Sequence, residues 1–315
     1  METTNIVQYY TINVTPEMAA QWLKEYNKNN RPIRRYRVLE MARDMRDGLF
    51  LRNGDSIKFD KNGRLIDGQH RLSACVESGC VLRDQLVIVG LDPECIDTID
   101  SGAKRTAADK LKMNGVKNSV VVSTAAKILV HYMAGDLSFC AHISSPQRVL
   151  AEAKMPRYPL QETTTLAARI WDALGGSKGL YCAILSICLH HDKAKTKDFV
   201  QGVATGEGLK KGDPALTYRN YLIRNMQAKR GRRSASWAFQ GQILIKAINA
   251  FFSDKKLSVL KWAEDEKMQD LFFCKVLRDD AKAEVERGRE ASAKKVVPAP
   301  LAEFLQAAKA EKKTA

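Results

Sequence analysis

Arg64-Leu65-Ile66-Asp67-Gly68-Gln69-His70-Arg71-Leu72-Ser73-Ala74-Cys75 is the stretch that decides how this chain is read. A short apolar strand ends at Asp67. A glycine follows, and a helix begins with a histidine and an arginine in its first turn. The unpaired N–H groups and positive dipole end of such a helix, with Arg71 beside them, make a seat for a phosphate.

Working outward, Ser56–Phe59 and Arg64–Ile66 read as short strands around Asp60-Lys61-Asn62-Gly63, where the Asn-Gly pair signals a hairpin. The motif helix spans about Gln69–Ser78 and ends at Gly79. Upstream, Val7–Val14 is a strand rich in β-branched and aromatic residues. Thr15 caps a helix with Pro16 at its first position, running to about Tyr26. A second helix covers Arg34–Asp47, with Val38, Met41, Ala42 and Met45 on one face. Downstream, Gln85–Val89 is a strand, Asp92-Pro93-Glu94 opens a helical turn, Ile96–Ile99 returns as a strand, and Thr106 caps a helix to about Met113.

From Asn118 the pattern turns helical, over 118–133, 145–155, 161–174, 178–191, 193–203, 214–228 and 234–252, with one further strand signal at Leu257–Leu260. The expected class is α+β: an α+β domain over 1–115, a helical domain over 116–278 that carries a basic segment, and a charged, flexible or helical tail over 279–315.

Bulk properties narrow the function classes. The chain has 315 residues, 45% of them hydrophobic, enough for a sizeable core. No apolar run approaches the roughly 20 residues of a membrane span, and Val120–Tyr132 is interrupted by Ser123, Lys127 and His131. Met1-Glu2-Thr3-Thr4 lacks the basic start of a signal peptide, so a cytoplasmic protein with no membrane partner is expected. The seven cysteines show no CxxC spacing, which argues for free thiols over disulfides or a zinc ribbon. The net charge is +15, and Glu207–Lys256 holds 11 Lys/Arg against 3 Asp/Glu. That excess points to a polyanion such as DNA, or to solvated helix faces.

The strand, hairpin, strand, Asp-Gly-Gln-His-Arg and helix order resembles the ParB/sulfiredoxin superfamily, and within it the ParB-like proteins of bacteriophages and mobile elements. The resemblance covers about Ile12–Leu111 and rests on Asn30-Arg31-Pro32, Asn53-Gly54-Asp55, Asp67–Arg71 and Asp97–Asp109. It implies a ParB/sulfiredoxin-like N-terminal domain in a protein of the bacterial host cytoplasm. It also implies a nucleotide gripped at the helix start, as ParB proteins grip CTP, sulfiredoxin ATP and a free-serine kinase ADP. Gly68 would allow close backbone approach, and Gln69, His70 and Arg71 would face phosphate. Gln69 stands where sulfiredoxin has its cysteine and ParB proteins often a glutamate. Without that cysteine sulfinic-acid reduction is not expected, and an amide cannot take a proton as a carboxylate does, which argues against ParB-style hydrolysis through that position.

The remaining candidates follow from this frame. Asp67 is a base, a Mg²⁺ ligand or merely the helix cap, and Arg71 a phosphate ligand or a partner of Asp67 or Glu77. Asp97–Thr106 is a second glycine-containing loop before a helix. There Asp100 would join Asp67 on Mg²⁺, and Lys104 and Arg105 would neutralise a phosphoryl group, unless the loop is an ordinary solvated one. Asp109 is placed to pair with Arg105 along the helix. Arg31, Asn53 and Asp55 are candidates on the substrate side; turn formation explains Asp55 nearly as well. Lys229, Arg230, Arg232 and Arg233 are the candidate DNA contacts, with Trp237 either stacking a base or filling the core. His190-His191-Asp192 reads as a helix end, because adjacent imidazoles diverge by about 100°.

The expected function is binding of a nucleoside di- or triphosphate with Mg²⁺, coupled to NTP hydrolysis, nuclease action or phosphoryl transfer in DNA metabolism, with Asp67, His70 and Asp100 as catalytic candidates. The alternatives are a non-enzymatic DNA-binding clamp switched by nucleotide and a phage protein that binds a host factor. The oligomeric state is left open, a homodimer included.

Overall fold

The computed structural model describes residues 7–99, 105–136, 144–228, 236–261, 267 and 269–274. They fall into two compact units, divided between Lys104 and Arg105. Among the described residues there are four strands, all before residue 92, and eleven α-helices, so the chain is of mixed α and β character.

The first unit is a four-stranded sheet in the order β1-β4-β2-β3. Its strands are β1 (Gln8–Val14), β2 (Ser56–Asp60), β3 (Leu65–Asp67) and β4 (Leu82–Leu91). β4 runs antiparallel to β1 and parallel to β2, and β2 and β3 form the hairpin. Buried Asp60 ties that hairpin, accepting from the Asn62 and Arg64 N–H groups at 2.9 and 2.8 Å. Alternation sends Ile12 and Val14, Ile57 and Phe59, and Val87 and Val89 to one buried side. There they meet Trp22 and Tyr26 of α1 (Pro16–Tyr26) and Leu72 and Cys75 of α3 (Gln69–Ser78). Phe59 takes both aromatic rings edge-on, at 5.3 and 5.8 Å, a geometry their quadrupoles favour. A smaller cluster of Val38, Ala42 and Ala74 seats α2 (Arg35–Arg46) on α3.

Thr15 and Pro16 start α1 as their chemistry dictates, the Thr15 hydroxyl accepting from the Met18 N–H at 3.3 Å. Two strand expectations are corrected. Ile96–Ile99 is no strand: Asp92 and Pro93 start a 3₁₀ turn over Pro93–Asp97, and the Thr98 N–H bonds back to Cys95. Leu257–Leu260 is irregular chain, its Leu257 N–H taken by Gly212 and its carbonyl by the Thr217 hydroxyl.

The second unit contains α4 (Ala107–Met113), α5 (Ser119–Met133), α6 (Pro146–Ala153), α7 (Leu160–Leu174), α8 (Lys178–His191), α9 (Lys193–Thr205), α10 (Pro214–Ala228) and α11 (Trp237–Phe252). Residue 115 is not the divide, because α4 buries Ala107 and Leu111 in this helical core. Asp109 closes a capping box with Thr106 instead of pairing with Arg105. α8 is apolar on every side, buried from Gly179 to Leu189, and is therefore the central helix.

A segment at 269–274 is strapped across α5 and α11 by side-chain amides. Gln242 donates to the Gln269 carbonyl at 3.1 Å and accepts its N–H at 2.7 Å. Asn249 does the same for the Asp270 carbonyl and the Phe272 N–H, at 2.7 and 3.2 Å. Tyr132 donates to Asp270 and accepts the Leu271 N–H. The His191 ring stacks on Phe273 with centroids 4.0 Å apart. The expected tail, 279–315, lies outside the described residues.

Candidate functional site

The hairpin delivers the chain to Gly68, the residue on which the site turns. Gly68 has φ +104 and ψ 0, and a Cβ there would lie 3.1 Å from Ile57 Cγ1 and 3.4 Å from the Ile57 backbone. Glycine is required twice, for the dihedral and for the approach to β2. α3 then starts at Gln69, and among the described residues no side chain caps this end.

Asp67 is not the cap. The hairpin register sets it opposite Lys58, and the two form an ion pair at 2.5 Å. Gln69, 6% exposed, does not face solvent. Its amide donates to the Arg31 carbonyl at 2.9 Å and accepts from Asn27 at 3.3 Å. Asn30 reinforces this by donating to the Asn27 side chain and the Leu65 carbonyl, both at 2.6 Å. Gln69 therefore fixes the 27–31 connector, with its side-chain amide engaged by Arg31 and Asn27 and not turned to solvent.

His70 accepts the Arg34 backbone N–H on Nε2 at 3.0 Å. Partial burial, followed by the charges of Arg31, Arg34 and Arg37, holds its pKa below the ordinary imidazole value. The neutral ring is thus the start bracket of α2. The nitrogen expected to meet phosphate is here engaged by a backbone amide.

Arg71 pairs with neither Asp67 nor Glu77. Its guanidinium donates to the Asp55 carbonyl at 3.0 Å and lies 3.4 Å from the Asp55 carboxylate. Glu77 is taken by Arg35 at 2.8 Å. The Asp55 carbonyl also accepts from Gln85 at 2.7 Å, and Asp55 closes a turn with Asn53, its N–H on Asn53 Oδ1 at 3.0 Å. Asn53 and Asp55 thus hold Arg71 in place, with the carboxylate already engaged.

The structure brings Arg31, Asn53, Asp55, Asp67, Gly68, Gln69, His70 and Arg71 around the start of α3. Sequence reasoning missed Lys58 and Arg34. Lys58 was findable by counting the hairpin register to Asp67; Arg34 acts through its backbone N–H and left no side-chain signal. Asp100, Lys104, Lys229, Arg230, Arg232 and Arg233 lie outside the described residues. Arg105 is an exposed residue directly before the Thr106 cap. Trp237 packs partly buried against the helical core, and Ser236 caps α11. His190 and His191 end α8. Among the described residues no three His, Cys, Asp or Glu side chains gather as a metal site, and no helix is long and apolar enough to cross a membrane.

The site offers the uncapped N–H groups at the start of α3, Arg71 in its first turn, and the positive charges of Arg31, Arg34 and Arg37 around His70. It suits an anion. Asp67 is neutralised by Lys58, and Gln69 is an amide, so neither of these two side chains acts as a general base there. Compared with known proteins, the chain matches no family model, no curated protein and no solved structure.

Proposed function

We propose that the first unit binds the phosphate of a nucleotide at the N-terminus of α3, in a ParB/sulfiredoxin-like domain followed by an all-helical domain. The phage-type, DNA-metabolic setting belongs to the same proposal. The observation that carries the reading is the uncapped α3 start at Gly68, with Arg71 in its first turn braced on Asp55. Helix N–H groups and a guanidinium together supply directional donors and positive charge for phosphate oxygens.

The chemistry favoured is binding. Asp67 is paired with Lys58, so a Mg²⁺ ion at that carboxylate would have to displace the ammonium group. A nucleotide-responsive binding protein fits this geometry without a proton transfer by Asp67 or Gln69, the two positions nearest the glycine.

The test is thermal denaturation with ATP, ADP, CTP and GTP, each with and without Mg²⁺. A ligand at about 100 times its Kd stabilises the folded chain by about 2.7 kcal/mol. At least one nucleotide should raise Tm in the natural chain and fail to do so in Arg71→Ala, whose circular dichroism stays native. No shift with any of the four overturns the proposal.

A further inference from the structure

The outward face of α2 is chemically unlike the rest of the surface. Residues 31–52 contain seven arginines and no lysine. On α2, Tyr36, Leu39, Arg43 and Arg46 follow one another at steps of three, four and three, which lines them up on one side of a helix. All four are exposed, and Arg35 flanks them. The stripe is about 15 Å long at 1.5 Å per residue. The apolar side of the helix, Val38 and Ala42 with Met41 and Met45, is spent on α3.

Charge on this face is not balanced in the usual way. The helix's own acids are drawn inward: Asp44 is 3% exposed, and the Glu40 side chain is 11% exposed and pairs with Arg37. Glu77 of α3 braces Arg35 by its carboxylate and Arg46 by its carbonyl. The result is a ridge of guanidinium groups held at one edge and open at the other.

An aromatic ring sits among them. Tyr36 is 43% exposed, and the Arg37 guanidinium lies over its ring at 5.5 Å. Arg34 and Arg37 also hydrogen-bond its phenol, which lowers its pKa.

We infer that the Tyr36–Leu39–Arg43–Arg46 face of α2 docks single-stranded nucleic acid, the arginines on phosphates and the Tyr36 ring under a base. Arginine in place of lysine suits the partner, since its planar fork meets phosphate with paired donors and stacks on bases. Stacking on an exposed ring requires bases that are not already paired, which selects a single strand over a duplex. A membrane surface fits less well, because the apolar side that would enter lipid is already buried against α3. The inference stands on α2 alone and not on the phosphate seat at α3.

The test is fluorescence anisotropy of a labelled 20-nucleotide oligothymidine across a series of KCl concentrations, with the full chain. Tyr36→Ala should weaken binding about fivefold or more, and Tyr36→Phe should retain it. Arg43→Ala with Arg46→Ala should reduce the slope of log K against log salt by about 1.4, or about 0.7 for each phosphate that is no longer neutralised. The nucleotide-induced Tm shifts of these variants should match those of the natural chain, which separates failure here from failure at α3. Unchanged affinity in both Tyr36→Ala and the double variant overturns the inference. So does tighter binding to a duplex, to phosphatidylserine vesicles or to polyglutamate than to the oligothymidine.

Discussion

Gly68→Ala measures how tightly the start of α3 is built into the sheet. Two separate costs apply. An L-residue at φ +104 pays about 1–2 kcal/mol for a left-handed backbone. The new methyl also meets Ile57 Cγ1 at 3.1 Å, on a side chain that is fully buried. Overpacking of this kind costs about 1–3 kcal/mol, so the sum is about 2–5 kcal/mol. Urea titration with hydrogen–deuterium exchange read on peptides covering 54–78 isolates the transition of the first unit. Repeating the change in an Ile57→Ala background removes the steric part and leaves the dihedral part. Gly68→Ala should then cost at least about 1 kcal/mol less in that background than alone. A loss below about 0.5 kcal/mol in the natural background would refute the reasoning.

Two further outcomes are expected. The depressed pKa of His70 means that the unfolded chain takes up this proton first. The stability it contributes is complete above the ordinary imidazole value of about 6.5 and declines as pH falls below it toward the folded value. NMR titration should find the His70 midpoint below that of the denatured chain, and His70→Gln should flatten the stability profile between pH 7 and 5. In the helical unit, Gln242→Ala removes both hydrogen bonds that this side chain, only 1% exposed, makes to the Gln269 backbone. The cost should be about 1–3 kcal/mol, with faster exchange at 269–274; unchanged exchange there would contradict the strap.

Local chemistry made much of the fold readable. α3 runs from Gln69 to Ser78 as its flanking glycines imply, and α1 begins at Pro16 after a Thr15 cap. The helical segments from 118 onward were legible from apolar periodicity, or in α8 from an unbroken apolar run, because they bury these residues in a common core. What failed was decided by distant partners. Ile96–Ile99 has strand composition, but Asp92 and Pro93 had already committed the chain to a turn. β4 extends past Gln85–Val89 to Leu82–Leu91 because it is paired on both edges. At the site, Gly68 was legible from its place between strand and helix. Gln69 and His70 were not: their partners, Arg31 and Arg34, are 38 and 36 residues away, and both bonds end on backbone atoms.

The single bond from the Arg34 N–H to His70 joins the first turn of α3 to the entry of α2. The imidazole belongs to one helix and the amide to the other, so whatever draws the ring away also frees the amide. A phosphate at α3 and a strand on α2 would therefore both bear on this bond, which adds to the Val38, Ala42 and Ala74 packing and the Glu77 contacts that already join the two helices. If one of them does alter the other's affinity through this bond, thermodynamic reciprocity makes the factor the same in both directions. Two surfaces that look separate on the molecule would behave as a single coupled receptor, with the protonation of one histidine setting the strength of the link.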